Sequence, residues 1–405
     1  MCLLIHSFLS ADPSDGLGRP DYALLPQQTL MELFSEKVKF YFYGAKDSKT
    51  DCYKDISRWR SVELNDRGEV VSFGISNYSS CEGEIDFQLL PSTVQRLEIS
   101  LPSGAKEPLS FHGLPLSLKA LTIGKQFHGK IETACLPRQT ESIDIHGNRF
   151  TGSLDFRTLP PEIRELNLSD NDFSGCADCT NLPKTLVILE VHTNRFSGVI
   201  DLSAIPPKLM RDYEELNSFT SFGVSIENNQ FDKIAWETVN KRINRIDANM
   251  NELTGLFEAK KLPHHLQVLK VSNNHYEGPL SLKDLPRLLR WLEASSNRLN
   301  GRLDLTVLPD SMRILTLSRN GFQGPINLSA LPNTFGRLDL SFNKITGPMG
   351  EIRLGKTPTN LKFIDLRDNK IREERVSVRG VLKKSSMIDL RGNEIGSVNR
   401  DNVRI

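Results

Sequence analysis

The sequence is short of the features that mark most functional classes. Only 6 of its 405 residues are cysteine, and aromatic residues make up 7%. Lysine plus arginine number 51 against 50 acidic residues, so net charge gives no global pull toward nucleic acid or anionic membrane. No apolar run is long enough to span a bilayer. The opening MCLLIHSFLS has an apolar run but no basic region before it, and it is short for a signal peptide. A phosphate-binding glycine loop is absent, as is any nucleophile spaced with a base and an orienting group, which argues against catalysis. Cofactors are not implied. Cys176 and Cys179 form a CxxC, yet nothing at regular spacing supplies a third and fourth ligand, so a zinc or redox centre is not expected there.

What the chain does contain is repetition. Between Gly301 and Gly347, Leu308-Pro309 returns as Leu331-Pro332, Leu315 and Leu317 as Leu338 and Leu340, Asn320 as Asn343, and Gly324 as Gly347, 23 residues on. A period of that length marks a stacked repeat. In LTLSRN the apolar residues alternate, so Leu315 and Leu317 face inward while Ile314, Thr316 and Ser318 face out. The asparagine turns the chain, Phe322 fills the interior and Gly324 permits a bend. PINLS alternates again and predicts a second short strand with Ile326 and Leu328 inward. Leu-Pro then predicts a brief 3₁₀ step. The turn asparagine recurs at Asn148, Asn171, Asn194, Asn229, Asn251, Asn274, Asn297, Asn320, Asn343, Asn369 and Asn393. With two earlier turns that lack it, this makes about fourteen turns of 22 to 24 residues.

The pattern LxxLxLxxNxFxGxIxLxxLP resembles the leucine-rich repeat, in the long two-strand variety of plant receptor-like proteins. Its Leu-Pro ending is similar to leucine-rich-repeat proteins of kinetoplastid flagellates. The resemblance covers roughly residues 58 to 400. It implies a right-handed α/β solenoid, with a parallel sheet on the concave face and short second strands or 3₁₀ segments outside. It also implies binding rather than chemistry. RWRSVELNDRGEVVSFGIS resembles the end of the amino-terminal cap of secreted members, but Leu64 stands where that cap places a cysteine. That favours an intracellular home, cytoplasmic or organellar.

In order, residues 1–26 read as a tail and 27–68 as a cap, with a helix over 27–43 that uses Leu30, Leu33, Phe34, Val38 and Tyr41 to cover the first turn. The solenoid follows over 69–400, and 401–405 end the chain. Asn194 and Asn229 are 35 residues apart, so residues 208–222 bulge as an insertion, either functional or merely tolerated. After the final turn, MIDLRGNEIGSVNRDNVRI, the exposed edge is covered either by the last residues or by a partner.

The outward strand slots hold the candidate partner-binding residues. The central slot carries Asp144, Glu190, Asp247, Glu293, Asp339, Asp365 and Asp389, an acidic ladder. Aspartate there suits bonding to neighbouring turns equally well. Its compensation is expected from Arg96, Arg245, Arg337, Arg367 and Arg391. His146 and His192 share a slot two turns apart, too far for one metal without other ligands. Trp291 and Phe363 break the polar pattern, either as interface anchors or leaning against Arg337. From Glu351 onward, 13 basic residues face 8 acidic ones, which could touch nucleic acid, though no aromatic platform accompanies them. Together these features predict a non-catalytic scaffold for protein partners. The alternatives are a subunit of a large, possibly ribonucleoprotein, assembly and an extracellular ligand-sensing ectodomain.

Overall fold

The computed structural model describes residues 22–38, 45–47, 49–76, 83–101, 106–206, 224–347, 351–353, 360–379, 386–398 and 403–405. The chain divides into two compact units, Met1–Phe196 and Ser197–Ile405. The predicted insertion at 208–222 and Tyr41 lie outside the described residues.

The first unit opens with the expected helix, observed as Gln27–Val38. Leu30, Leu33, Phe34 and Val38 are buried, and the Phe34 ring meets Phe73 edge-on at 5.6 Å. Phe73 belongs to Val70–Ser76, the first strand of the parallel sheet, so the helix closes the apolar end of the stack as a cap must. Val62–Leu64 pairs antiparallel with it. Parallel strands then follow one per turn: Arg96–Ser100, Ala120–Ile123, Ser142–Asp144, Glu165–Asn167 and Ile188–Glu190. The second unit repeats the plan from Val224–Ser225 through Arg245–Asp247, Val268–Lys270, Trp291–Glu293, Ile314–Thr316, Arg337–Asp339, Phe363–Asp365 and Met387–Asp389.

Each strand is three or four residues long in most turns because the alternation lasts only that far. Leu315 and Leu317 are fully buried, and their neighbours Ile314 and Thr316 are half exposed. The asparagine then does the work of a missing ladder. Asn274 Oδ1 accepts from Leu253 N at 3.0 Å, and its Nδ2 donates to Ala248 O at 2.9 Å, both in the preceding turn. The same Nδ2 also reaches Val271 O at 3.1 Å and Ser272 O at 3.2 Å in its own turn. The residue before each ladder asparagine is left-handed. Glycine supplies this at Gly147 and Gly392, but nine non-glycine residues, among them Thr193, Met250, Arg319 and Phe342, hold φ between 53 and 56°. That strain costs about 1–2 kcal/mol per turn. Several buried amide bonds, each worth about 1 kcal/mol, outweigh it.

A second ladder runs through the hydroxyl two residues after many of the Leu-Pro prolines. Thr185 Oγ1 donates toward Pro161 O at 2.9 Å and Ile163 O at 2.6 Å, and Ser311 and Thr334 repeat the contact. Inside the first unit, Phe150, Phe173 and Phe196 stack at 6.3 Å centroid spacing.

Two local expectations are corrected. The second strand lies at Gly321–Gly324, ahead of PINLS, and Ile326 is only half buried while Leu328 is buried. The asparagine ladder causes this, since Asn343 Oδ1 accepts from Phe322 N at 3.1 Å and so holds that stretch extended. The 3₁₀ step precedes Leu-Pro, at Leu305–Val307, because Asp304 accepts from Thr306 N and starts it there. Arg372–Arg379 forms an eight-residue strand paired with Glu351–Arg353 and Glu394–Val398. The last turn is covered by the chain's own end: Val403 pairs with Ile388 and is buried.

Candidate functional site

The register of the parallel sheet settles which side chains share a row. In the second unit, Asp247, Lys270, Glu293, Thr316, Asp339, Asp365 and Asp389 are successive partners, as the central slot requires. In the first, Glu98, Thr122, Asp144, Asn167 and Glu190 are.

Three of the five acids in the second unit's central row, Asp247, Asp365 and Asp389, are buried, while Glu293 and Asp339 stay half exposed. Asp365 is 1% exposed, and Arg367 clamps it through Nε to Oδ1 at 2.9 Å and Nη2 to Oδ2 at 2.7 Å. Arg391 clamps Asp389 likewise at 3.0 and 2.7 Å, and Lys270 Nζ lies 2.8 Å from Asp247. These carboxylates also accept from the backbone N–H two residues on, so they cap their own turns, while Lys270 on Asp247 and Arg367 near Asp389 tie neighbouring ones. What reaches solvent over Asp365 and Asp389 is therefore arginine. Arg367 is held in its charged form by Asp365 and then Asp389, and for Arg391 the Asp389 carboxylate raises the pKa.

The first unit keeps its acids at the surface beside histidine. His146 Nδ1 lies 2.7 Å from Asp144 Oδ1, and His192 Nε2 lies 3.7 Å from Glu190 Oε2. Asn167 and Ser169 separate the two pairs, so each stays a local pair.

One slot upstream, the second unit carries a row that sequence reasoning saw only in part. Val268, Trp291, Ile314, Arg337, Phe363 and Met387 are successive register partners, and all but the exposed Arg337 are half exposed. Trp291 and Phe363 stand out in a sequence because they are large. Val268, Ile314 and Met387 pass as ordinary strand residues until the register aligns them. Cations cover both rings: Lys270 Nζ is 5.3 Å from the Trp291 ring, and the Arg337 guanidinium is 5.8 Å from that of Phe363. Trp291 Nε1 also donates to Glu293 Oε1 at 2.8 Å.

The tandem strands, the buried asparagine ladder and the 3₁₀ steps before Leu-Pro decide the fold. It is the leucine-rich-repeat fold. No family model matches the chain, and no curated protein does. YopM from Yersinia enterocolitica is similar over 81% of this chain and 66% of its own, at 23% identity and a TM-score of 0.54. The functional domain of InlJ from Listeria monocytogenes is similar over 77% and 64%, at 17% identity and 0.52. The leucine-rich repeat domain of APL1B is similar over 82% and 88%, at 16% identity and 0.51. This chain spans slightly less than two thirds of the YopM and InlJ chains. The kinetoplastid likeness rests on the Leu-Pro motif alone.

On the leucine-rich-repeat frame the CxxC splits. Cys179 is buried at the position of Leu202, but Cys176 is exposed, like Val199 in the same slot. Another group does gather among the described residues. His112, Glu132 and Cys135 bring their ligand atoms within 4.8 Å of one another. Burial, followed by the neighbouring Glu132 carboxylate, raises the Cys135 thiol above its usual pKa. The signal lay in the repeat itself, since His112 and Cys135 are 23 residues apart. At the basic end, Arg372 Nε is 3.1 Å from Glu394, and Lys383-Lys384 lie outside the described residues. No helix among the described residues is long and apolar enough to cross a membrane.

Proposed function

We propose that the chain is a non-catalytic scaffold that holds another protein against the strand face of its second unit, in a reducing compartment of the cell. The observation that carries this reading is the row Val268, Trp291, Ile314, Arg337, Phe363 and Met387. Five half-exposed apolar side chains in one row form a stripe that Arg337 interrupts once, and such stripes rimmed by polar groups are what interfaces use. Aromatic and arginine side chains carry most interface energy, and both are central here. Beyond the central row, Arg367 and Arg391 stand over their own buried carboxylates. The partner that fits presents apolar side chains flanked by carboxylates. Support for a reducing compartment comes from Leu64 at the cap position where secreted relatives of the repeat carry cysteine.

The test is affinity purification of the tagged full-length chain from its native cells, with and without ribonuclease. One or two proteins retained at near-equal amounts after ribonuclease, and lost from the double variant W291A/F363A, support the reading. Retention by the double variant overturns it. Loss on ribonuclease treatment replaces the protein partner with a ribonucleoprotein.

A further inference from the structure

His112, Glu132 and Cys135 come from two successive turns of the first unit, on the side where the 3₁₀ steps lie. His112 sits just before Leu114-Pro115, while Glu132 and Cys135 flank the step Thr133–Cys135 before Leu136-Pro137. Cys135 Sγ is 3.4 Å from His112 Nδ1 and 3.7 Å from Glu132 Oε2, and His112 Nε2 is 3.9 Å from the same oxygen. A zinc ion bonds sulfur at about 2.3 Å and nitrogen or oxygen at about 2.0–2.2 Å, which sets tetrahedral ligands about 3.3–3.6 Å apart. With Nε2 as the histidine ligand it is 3.9 Å from both Cys135 Sγ and Glu132 Oε2, so the three separations exceed that spacing by a few tenths to about half an ångström, which small side-chain rotations close.

The repeat gives a second, independent reason. At the place of Glu132, other turns carry Asp86, Asp155, Asp178 or Asp304, and each carboxylate caps its 3₁₀ step by accepting from the N–H two residues on. Glu132 does not cap. Glu258 does not either, but Lys261, at the slot equivalent to Cys135, supplies it with a cation. Glu132 faces a neutral thiol and an imidazole in the corresponding space. A carboxylate withdrawn from its structural role and set against two soft or borderline donors describes a place for a positive charge.

We propose that His112, Glu132 and Cys135 bind one zinc-type divalent ion, with water as fourth ligand, clipping two successive turns together. The thiol proton passes to solvent as the sulfur–metal bond forms, so thiolate and carboxylate together neutralise the ion. Sulfur and imidazole donors exclude calcium and magnesium, which take oxygen. The His112 and Glu132 side chains are 64% and 73% exposed, so the ion exchanges with solvent instead of being sealed in.

Cobalt(II) titration of the metal-free full-length protein tests this. One ion per chain should bind with a sulfur-to-cobalt charge-transfer band and tetrahedral visible bands, and stoichiometric zinc should displace it. Cys135→Ser should remove the charge-transfer band, and His112→Ala and Glu132→Gln should each weaken cobalt binding by about tenfold or more. The double variant C176S/C179S should retain the spectrum. Zinc should raise the melting temperature of the native chain and not that of Cys135→Ser; circular dichroism verifies that each variant is folded. Absence of a thiolate band, its survival in Cys135→Ser, or its loss in C176S/C179S overturns the assignment.

Discussion

The guanidinium of Arg337 lies 5.8 Å from the ring of Phe363, its direct register partner on the next strand. The arginine therefore shields an aromatic surface without burying it. Truncating Phe363 and Trp291 together should cost about 1 kcal/mol apiece, since each ring is only half withdrawn from water. Differential scanning calorimetry should show a melting shift of a few degrees for this double variant. Ile364→Ala, one residue away and fully buried, should cost about 2–5 kcal/mol. A melting loss as large as that of Ile364→Ala in the double variant would mean the rings are core.

Removing the amide of Asn274 should be among the costliest single changes. Asn274→Ala strands the N–H of Leu253 in a buried setting and leaves the carbonyl of Ala248 with only the longer bond from Asn251 Nδ2 at 3.3 Å. A stranded buried group costs about 1–3 kcal/mol. By contrast, Met250→Gly removes a half-exposed side chain from a left-handed residue and should leave stability unchanged or raise it by up to about 1 kcal/mol. Urea unfolding of the two variants reads both signs.

Asp389 predicts a pH dependence. Burial alone would raise its pKa, but the Arg391 hydrogen bonds, with the charges of Arg391 and Arg367, outweigh it and leave the value lowered. A group depressed on folding contributes stability that is present above its unfolded value, near about 3.9, and is lost as pH falls through the folded value. The melting temperature of Asp389→Asn should therefore fall less between pH 5 and pH 3, read as about two pH steps of the acid limb. An unchanged acid limb would remove Asp389 from this role.

The two CxxC thiols should separate kinetically. Cys176, exposed, should take a maleimide promptly in the folded protein, and Cys179, buried, only after unfolding. Mass spectrometry of the singly labelled chain identifies the site.

The repeat was legible because its slots are defined by burial alternation and one amide. Leu315, Leu317 and Asn320 announce their roles in any turn. What escaped reading depends on relations across turns. The second strand was placed over PINLS because alternation is there, whereas the hydrogen bond that extends Gly321–Gly324 comes from Asn343, a turn later. Asp365 looked like surface charge, but Arg367, two residues on, folds back over it. Ile314 and Met387 became part of a stripe only when register set them beside Trp291 and Phe363. His112 and Cys135, unremarkable alone, face each other because they are one period apart.

The asparagine ladder also has a direction. Asn171 reaches back to Phe150 N and Ile145 O, Asn274 to Leu253 N and Ala248 O, and Asn393 to Ile371 N and Leu366 O. Each of these amides completes the turn synthesised before its own. A nascent chain thus leaves the ribosome with each finished turn awaiting only the next twenty or so residues to latch it. A chain cut after any of these turns leaves a buried backbone N–H without the acceptor that the next turn supplies.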